Sequence, residues 1–161
     1  SETEIPPALA NRVTPAGEVC HFMVGTPEES HHGRPVYLTQ KDVRELQLAK
    51  GAIAAGVRAL MDEMGVGVED IGRVMLTGAL GNYVNTYSAM RVGLLPQVEA
   101  SRVTLLGNGA SVGASMALLA RSHWNRVRKL AGFVEHLELS ARTDFNQAFV
   151  DQLDFPAQNT W

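Results

Sequence analysis

Two different periods of apolar and polar residues run along this chain, and the switches between them mark its elements. Val19, Cys20, Phe22 and Val24 give a strand over 18–24, and the run Gly25-Thr26-Pro27 through Gly33-Arg34-Pro35 is too rich in Gly, Pro and charge to be other than a loop. Val36-Tyr37-Leu38 resumes as a short strand. From Thr39 the period lengthens: Val43, Leu46, Ile53, Val57, Leu60 and Met64 recur at three- and four-residue steps, the signature of a long amphipathic helix. Thr39 and Asp42 have the spacing of a capping box at its start, and Gly65 supplies its stop. Two further sets lie off the apolar stripe. Gly51, Ala52, Ala55, Gly56 and Ala59 are small enough to admit close approach of another group, while Arg44, Glu45, Gln47 and Lys50 read as a wet face.

Beyond the helix, Val74-Met75-Leu76 is apolar enough for a strand buried on both sides, as in a parallel sheet. A short helix over 86–92 ends at Gly93, with Pro96 barring its continuation. Val103 to Leu106 makes a second buried strand, followed by helices over 110–120 and 123–131. The alternation Val134-Glu135-His136-Leu137-Glu138-Leu139 predicts a strand, and Phe145, Phe149 and Leu153 a closing helix over 143–153. Strands alternating with helices give an α/β fold with a mostly parallel sheet flanked by helices. The expected organisation is an irregular or linker segment over 1–17, a folded subdomain over 18–156 and a tail over 157–161.

Composition narrows the partners. With 161 residues, 45% hydrophobic and 19% charged, the chain has the makeup of one globular domain. A net charge of −3 gives no electrostatic reason to expect nucleic acid or an anionic membrane, and the cluster Arg121, Arg126, Arg128 and Lys129 reads as a solvated helix face. No apolar run approaches the about 18 residues that span a bilayer. One cysteine, Cys20, allows neither an internal disulfide nor an all-cysteine cluster, and cytoplasmic residence is the simplest expectation. Adjacent His31 and His32 would diverge in a regular element and are read as solvated loop residues, so no metal site is expected. The serine start and the irregular opening suggest a chain cut from something longer.

The candidate chemistry sits at two strand-to-helix corners, Thr77-Gly78-Ala79-Leu80-Gly81-Asn82 and Gly107-Asn108-Gly109-Ala110. Glycine lets backbone approach a ligand, and a helix N-terminus just beyond it offers N–H groups and a positive dipole end to phosphate. A nucleotide cleft and a mere tight turn both satisfy this pattern. There is no GxxxxGK[ST] phosphate loop. Gly107-x-Gly109-x-x-x-Gly113 is one residue too long for the dinucleotide fingerprint, a slip of about 100° around a helix, though Glu138 could take a ribose hydroxyl and keeps an NAD-type oxidoreductase open. No complete catalytic set is visible.

The run Leu38-Thr39-Gln40-Lys41-Asp42-Val43-Arg44-Glu45-Leu46-Gln47-Leu48-Ala49-Lys50-Gly51-Ala52-Ile53, with Thr77 to Tyr83, Val92-Gly93-Leu94-Leu95-Pro96 and Gly107 to Ala110, resembles the C-terminal region of the ATP-dependent reductive activators of corrinoid proteins, members of the acetate and sugar kinase, Hsp70 and actin superfamily. The resemblance implies a ribonuclease H-like half of a two-lobed ATPase. It implies ATP with Mg shared with an earlier lobe, a [2Fe–2S] cluster on an N-terminal ferredoxin-like domain, a homodimer, and a corrinoid protein or its methyltransferase as partner. Co(II) corrinoid would be returned to Co(I). On this resemblance Gly78, Ala79, Gly81 and Asn82 match the adenosine motif. Gly107, Asn108 and Gly109 fall at the second interlobe connection, and Glu45 with Lys50 on the helix bordering the adenosine. The family's acidic Asp-x-Gly motif and cluster cysteines have no counterpart here, so no catalytic residue is expected and the chain alone should bind ATP weakly and hydrolyse it negligibly. Gly109 stands where alanine is expected, a change read as loosening a hinge. A dimerisation or docking lobe without catalysis is the remaining alternative.

Overall fold

Strands β1 (Val13–Ala16), β2 (Val19–Gly25) and β3 (Val36–Leu38) pair antiparallel in the order β1-β2-β3, with Val13 opposite Phe22 and Phe22 opposite Leu38. Gly17, at φ 70°, takes the left-handed turn after β1, where a side chain would be strained. The computed structural model describes residues 7–17, 19–78 and 83–156, and the chain divides into two units, Ser1–Ala49 and Lys50–Trp161. Within the first unit, Arg12 Nη1 donates to the Val24 carbonyl at 2.8 Å and its guanidinium lies 3.4 Å from Glu29. His31 and His32 are exposed loop residues, as their sequence context predicts.

Helix α1 (Gln40–Met64) starts in the first unit and continues into the second. Its capping box forms as expected: Asp42 Oδ2 accepts the Thr39 N–H at 2.8 Å, and Thr39 Oγ1 accepts the Asp42 N–H at 3.2 Å. Gly65, at φ 64°, ends it. The buried face, however, is the small-residue one. Gly51, Ala55 and Ala59 are buried together with Lys50, whereas Ile53, Leu60 and Met64 of the large apolar stripe are exposed. Steric reach explains the choice, because a Cβ on Gly51 would stand 3.2 Å from the Gln152 carbonyl oxygen and 3.3 Å from Leu153, so the closing segment rests directly on helix backbone.

Strands β4 (Val74–Leu76) and β5 (Val103–Leu105) form a separate parallel pair in register, Val74 with Val103 and Leu76 with Leu105. Among the described residues, then, three strands pair antiparallel and two parallel. Helix α2 (Thr86–Arg91) is capped by Asn85, whose side chain accepts the Ser88 N–H at 2.9 Å. Ala89, Met90 and Leu95 form the buried core of this unit, packed by Val74, Leu76, Val84, Leu94, Val98 and Val103. Burial on both sides, expected for β4, is not observed: Val74 and Leu76 face the core while Met75 is exposed.

Helices α3 (Gly109–Leu119) and α4 (Arg121–Ala131) pack on each other, and α5 (Thr143–Asp151) closes the described chain. The strand predicted over 134–139 does not form. Its alternation is real, but among the described residues that segment pairs with no strand, and alternation without a hydrogen-bonded neighbour makes no strand. Arg142 fixes the entry to α5 by reaching Glu63 at 2.8 Å and Asp144 at 2.7 Å. No helix of the described residues is long and apolar enough to cross a membrane.

Candidate nucleotide-binding corner

Because β4 and β5 are parallel and in register, their carboxyl ends arrive side by side, and both glycine corners follow at once. The ladder outlasts the strands: Leu106 N–H donates to the Leu76 carbonyl at 2.8 Å and Gly78 N–H to the Gly107 carbonyl at 2.7 Å. Both glycines take the left-handed conformation, Gly78 at φ 85° and Gly107 at φ 62°, which turns the chain away from the sheet at neighbouring points. Thr77 stitches the corners together. Its hydroxyl donates to the Gly107 carbonyl at 3.0 Å and accepts the Gly109 N–H at 2.8 Å.

Helix α3 begins on this spot. Asn108 caps it, its side chain accepting the Ser111 N–H at 3.0 Å and its carbonyl the Val112 N–H at 3.1 Å. Among the described residues nothing accepts the Ala110 N–H, so the positive end of the α3 dipole faces outward at the corner. Among the described residues, a Cβ built on Gly78 would meet nothing within 4 Å. Thr77, Gly78, Gly107, Asn108, Gly109, Ala110 and Ser111 carry no ionisable group. Such a corner suits ribose and phosphate oxygens held by backbone N–H groups, and it lacks a carboxylate to hold magnesium or move a proton.

The sequence-derived candidates divide under this geometry. Gly78, Gly107, Asn108 and Gly109 come together, whereas Ala79, Gly81 and Asn82 lie outside the described residues. Glu45 is an exposed residue of α1 in the first unit. Lys50, expected beside the adenosine, is 1% exposed, with its ammonium donating to the Asp154 carbonyl and standing 5.4 Å from the centre of the Phe155 ring. Burial lowers its pKa, against a smaller upward pull from the Asp154 carboxylate. This placement gives Lys50 a role in holding the closing segment. Gly93 completes that contact: at φ 77° it lies so near the segment that a Cβ would stand 3.1 Å from Pro156.

Gly109 also departs from expectation. A Cβ there would fall 2.6 Å from Thr77 Oγ1, so its missing side chain admits the threonine stitch and tightens the corner where a looser hinge was expected. Thr77 itself was not among the candidates, although a hydroxyl residue between a strand and a glycine is the signal that could have found it. Gly113 bears on the dinucleotide alternative. The fingerprint's third glycine serves close helix–strand packing, whereas a Cβ at Gly113 would meet nothing within 4 Å. A cavity of about 220 Å³ between α1 and the Gly93–Gln97 turn has mainly apolar walls and includes none of the candidates.

Comparison with known proteins adds four findings. A family described as the C-terminal domain of RACo, the ASKHA domain, matches residues 3–161. The chain is 34% identical over 130 residues to the corrinoid activation enzyme RamQ of Eubacterium limosum, covering 81% of this chain and 22% of that protein. It is 30% identical over 128 residues to the [Co(II) methylated amine-specific corrinoid protein] reductase of Methanosarcina barkeri, covering 78% and 24%. A solved structure of a reductive activator for corrinoid, iron-sulfur protein superposes with a TM-score of 0.81 at 31% identity, over 96% of this chain and 25% of that one. This chain thus spans about a quarter of the length of these proteins.

Proposed function

Because this chain belongs to the family of the C-terminal, ASKHA-type domain of corrinoid reductive activators, we propose that residues 18–156 form the nucleoside-facing lobe of an ATP-dependent activator that returns Co(II) corrinoid proteins of methyl transfer to Co(I). The observation that carries this reading is the pair of glycine corners joined by the Gly78 to Gly107 hydrogen bond at the carboxyl ends of parallel strands, where α/β sheets take their ligands. Gly78 and Gly107 to Gly109 lie against ribose and phosphate through their backbone, with Ala79, Gly81 and Asn82 of the same sequence motif and Glu45 and Lys50 as further candidates from the sequence.

ATP supplies the driving force when it is bound, and this lobe's part is to hold the nucleoside. Magnesium and the phosphoryl-transfer groups come from the other lobe, since the described corner has no carboxylate. Electrons reach the corrinoid from a [2Fe–2S] cluster on another domain, because one cysteine cannot ligate such a cluster. The working protein is a cytoplasmic homodimer that meets a corrinoid protein or its methyltransferase, and the 161 residues alone hydrolyse ATP negligibly.

The test follows Co(I) formation spectroscopically, with the full-length protein, a low-potential chemical reductant and a Co(II) corrinoid protein. Reduction is expected to require ATP and to be lost in Gly78→Val, which places a branched side chain where φ is positive. Equal rates with and without ATP, or an unaffected Gly78→Val protein, overturn the reading.

A further inference from the structure

The backbone joins the two corners without help from Thr77. Leu106 N–H donates to the Leu76 carbonyl and Gly78 N–H to the Gly107 carbonyl, so the parallel pairing carries past the strand ends by itself. The Thr77 hydroxyl acts elsewhere. Exposed at the end of β4, it reaches 30 and 32 residues along the chain, to the Gly107 carbonyl at 3.0 Å and the Gly109 N–H at 2.8 Å. Gly109 is matched to it, since a Cβ there would stand 2.6 Å from the hydroxyl oxygen.

These two bonds fix the peptide groups on either side of Asn108. A peptide group is planar and trans, so its C=O and N–H point in opposite directions. Holding the Gly107 carbonyl toward Thr77 and Gly78 therefore turns the Asn108 N–H, on the far side of the same peptide, away from the end of β4. Holding the Gly109 N–H toward Thr77 directs the Asn108 carbonyl into helix α3, where it accepts the Val112 N–H at 3.1 Å. The Gly107 carbonyl meets three donors with two lone pairs: Gly78 N–H at 2.7 Å, the Thr77 hydroxyl at 3.0 Å and Gly109 N–H at 3.1 Å. The last of these closes only a three-residue turn and lies nearer to Thr77, so the hydroxyl is the main acceptor of the Gly109 N–H. A carbonyl covered in this way also turns little negative charge toward an incoming anion.

Among the described residues the N–H groups of Gly78, Gly109, Ser111 and Val112 all have acceptors, while nothing accepts those of Asn108 and Ala110. We propose that Thr77 is a positioning residue of the nucleotide site: its hydroxyl aims the Asn108 N–H at a phosphate oxygen of the bound nucleotide without touching the ligand itself. The inference rests on the functional reading above and adds to it the side chain that sets nucleotide affinity. Phosphate is the group addressed because residues 107–111 carry no ionisable side chain, so an anion is held there by N–H dipoles, whose direction decides their worth. Setting that direction before the ligand arrives cuts the ordering cost of binding.

The test titrates the full-length protein with MgADP and with the magnesium complex of 2′-deoxy-ADP by calorimetry, and follows ATP-dependent Co(I) formation as a second readout. Thr77→Ala is expected to weaken both diphosphates by the same factor, about five- to tenfold, the worth of one oriented hydrogen bond. KM for ATP should rise alike, with kcat at saturating ATP within about twofold of wild type, because the contact is made equally in ground and transition states. Thr77→Ser keeps the hydroxyl and should bind like wild type. MgADP affinity in Thr77→Ala within about twofold of wild type overturns the proposal. So does a Thr77→Ser protein as weak as Thr77→Ala, since the methyl group would then be what matters. A Thr77→Ala protein that no longer melts cooperatively, or whose kcat falls as far as its affinity, also overturns it, because the residue then serves the fold or the chemical step. Weakening of ADP with 2′-deoxy-ADP spared moves the contact to the ribose and refutes the phosphate assignment. If the wild-type protein binds neither MgADP nor MgATP, the functional reading itself has failed, a result that comparisons among binding-competent variants cannot mimic.

Discussion

Replacing Gly109 by alanine tests whether the two corners are truly joined. The new Cβ would fall 2.6 Å from Thr77 Oγ1 and 3.5 Å from Thr77 Cβ, so the hydroxyl must rotate away while the rest of the threonine can stay. Rotation forfeits the bonds to the Gly107 carbonyl at 3.0 Å and from the Gly109 N–H at 2.8 Å. Each is worth about 0.5–1.5 kcal/mol net, and the corner is partly exposed, so about 1–2 kcal/mol is lost. Hydrogen exchange on peptides spanning 74–78 and 103–112 of the full-length protein should accelerate about 5- to 30-fold. Thr77→Val removes the same two bonds and should produce the same acceleration. The two effects must not add. In a Thr77→Ala background the hydroxyl is already gone, so Gly109→Ala should cost nothing further, and the double-mutant cycle should show a coupling of about 1 kcal/mol or more. Additive effects would mean that Thr77 and Gly109 do not touch, and the joined corner would be refuted.

Other consequences follow from the packing of α1 and the closing segment. The lowered pKa of Lys50 makes the unfolded chain the better proton binder between that value and the usual lysine value of about 10.4. The hold on residues 152–156 should thus tighten as pH rises through that interval and level off above it; intrinsic-rate-corrected protection from exchange that stays flat in wild type, or that still rises in Lys50→Met, contradicts this. The Thr39 hydroxyl, then its N–H, hold the Asp42 carboxyl below the usual range. Asp42's contribution to the helix start is therefore complete above about pH 3.9 and lost as pH falls through the lowered value. Thr39→Ala should raise that titration midpoint, followed by carboxyl NMR, and fray the first turn by about 1 kcal/mol; an unmoved midpoint would disprove the capping box. Gly93→Ala combines a φ of 77° with a Cβ 3.1 Å from Pro156 and should cost about 1–2 kcal/mol or more in a thermal melt, whereas Gly72→Ala, with open space around it, should be nearly silent.

Local chemistry made the helix starts and stops legible in the sequence. Thr39 with Asp42, Gly65 and Gly93 each act through neighbours within a few residues, and the structure uses them as their types predict. The parallel pairing of two apolar runs that each end in glycine was legible for the same reason, since a strand, a tight turn and a helix start are all written in order. What depended on distant partners was not. The choice of the Gly51, Ala55 and Ala59 face of α1 over its large apolar stripe is made by Gln152 and Leu153, about a hundred residues away. Lys50 reads as a surface residue until Asp154 and Phe155 enclose it. At the candidate site, both glycines could be found by type, but the Thr77 bridge between them could not, because nothing local says that residues 30 apart will share a hydrogen bond.

Photolabelling of the full-length protein with 8-azido-ATP and magnesium, followed by peptide mapping, tests most directly whether the joined corners face a nucleoside. Label is expected on peptides containing residues 77–83 or 107–111, displaced by excess ATP and not by NAD. Label confined to other peptides, or displaced by NAD as readily as by ATP, would contradict the account.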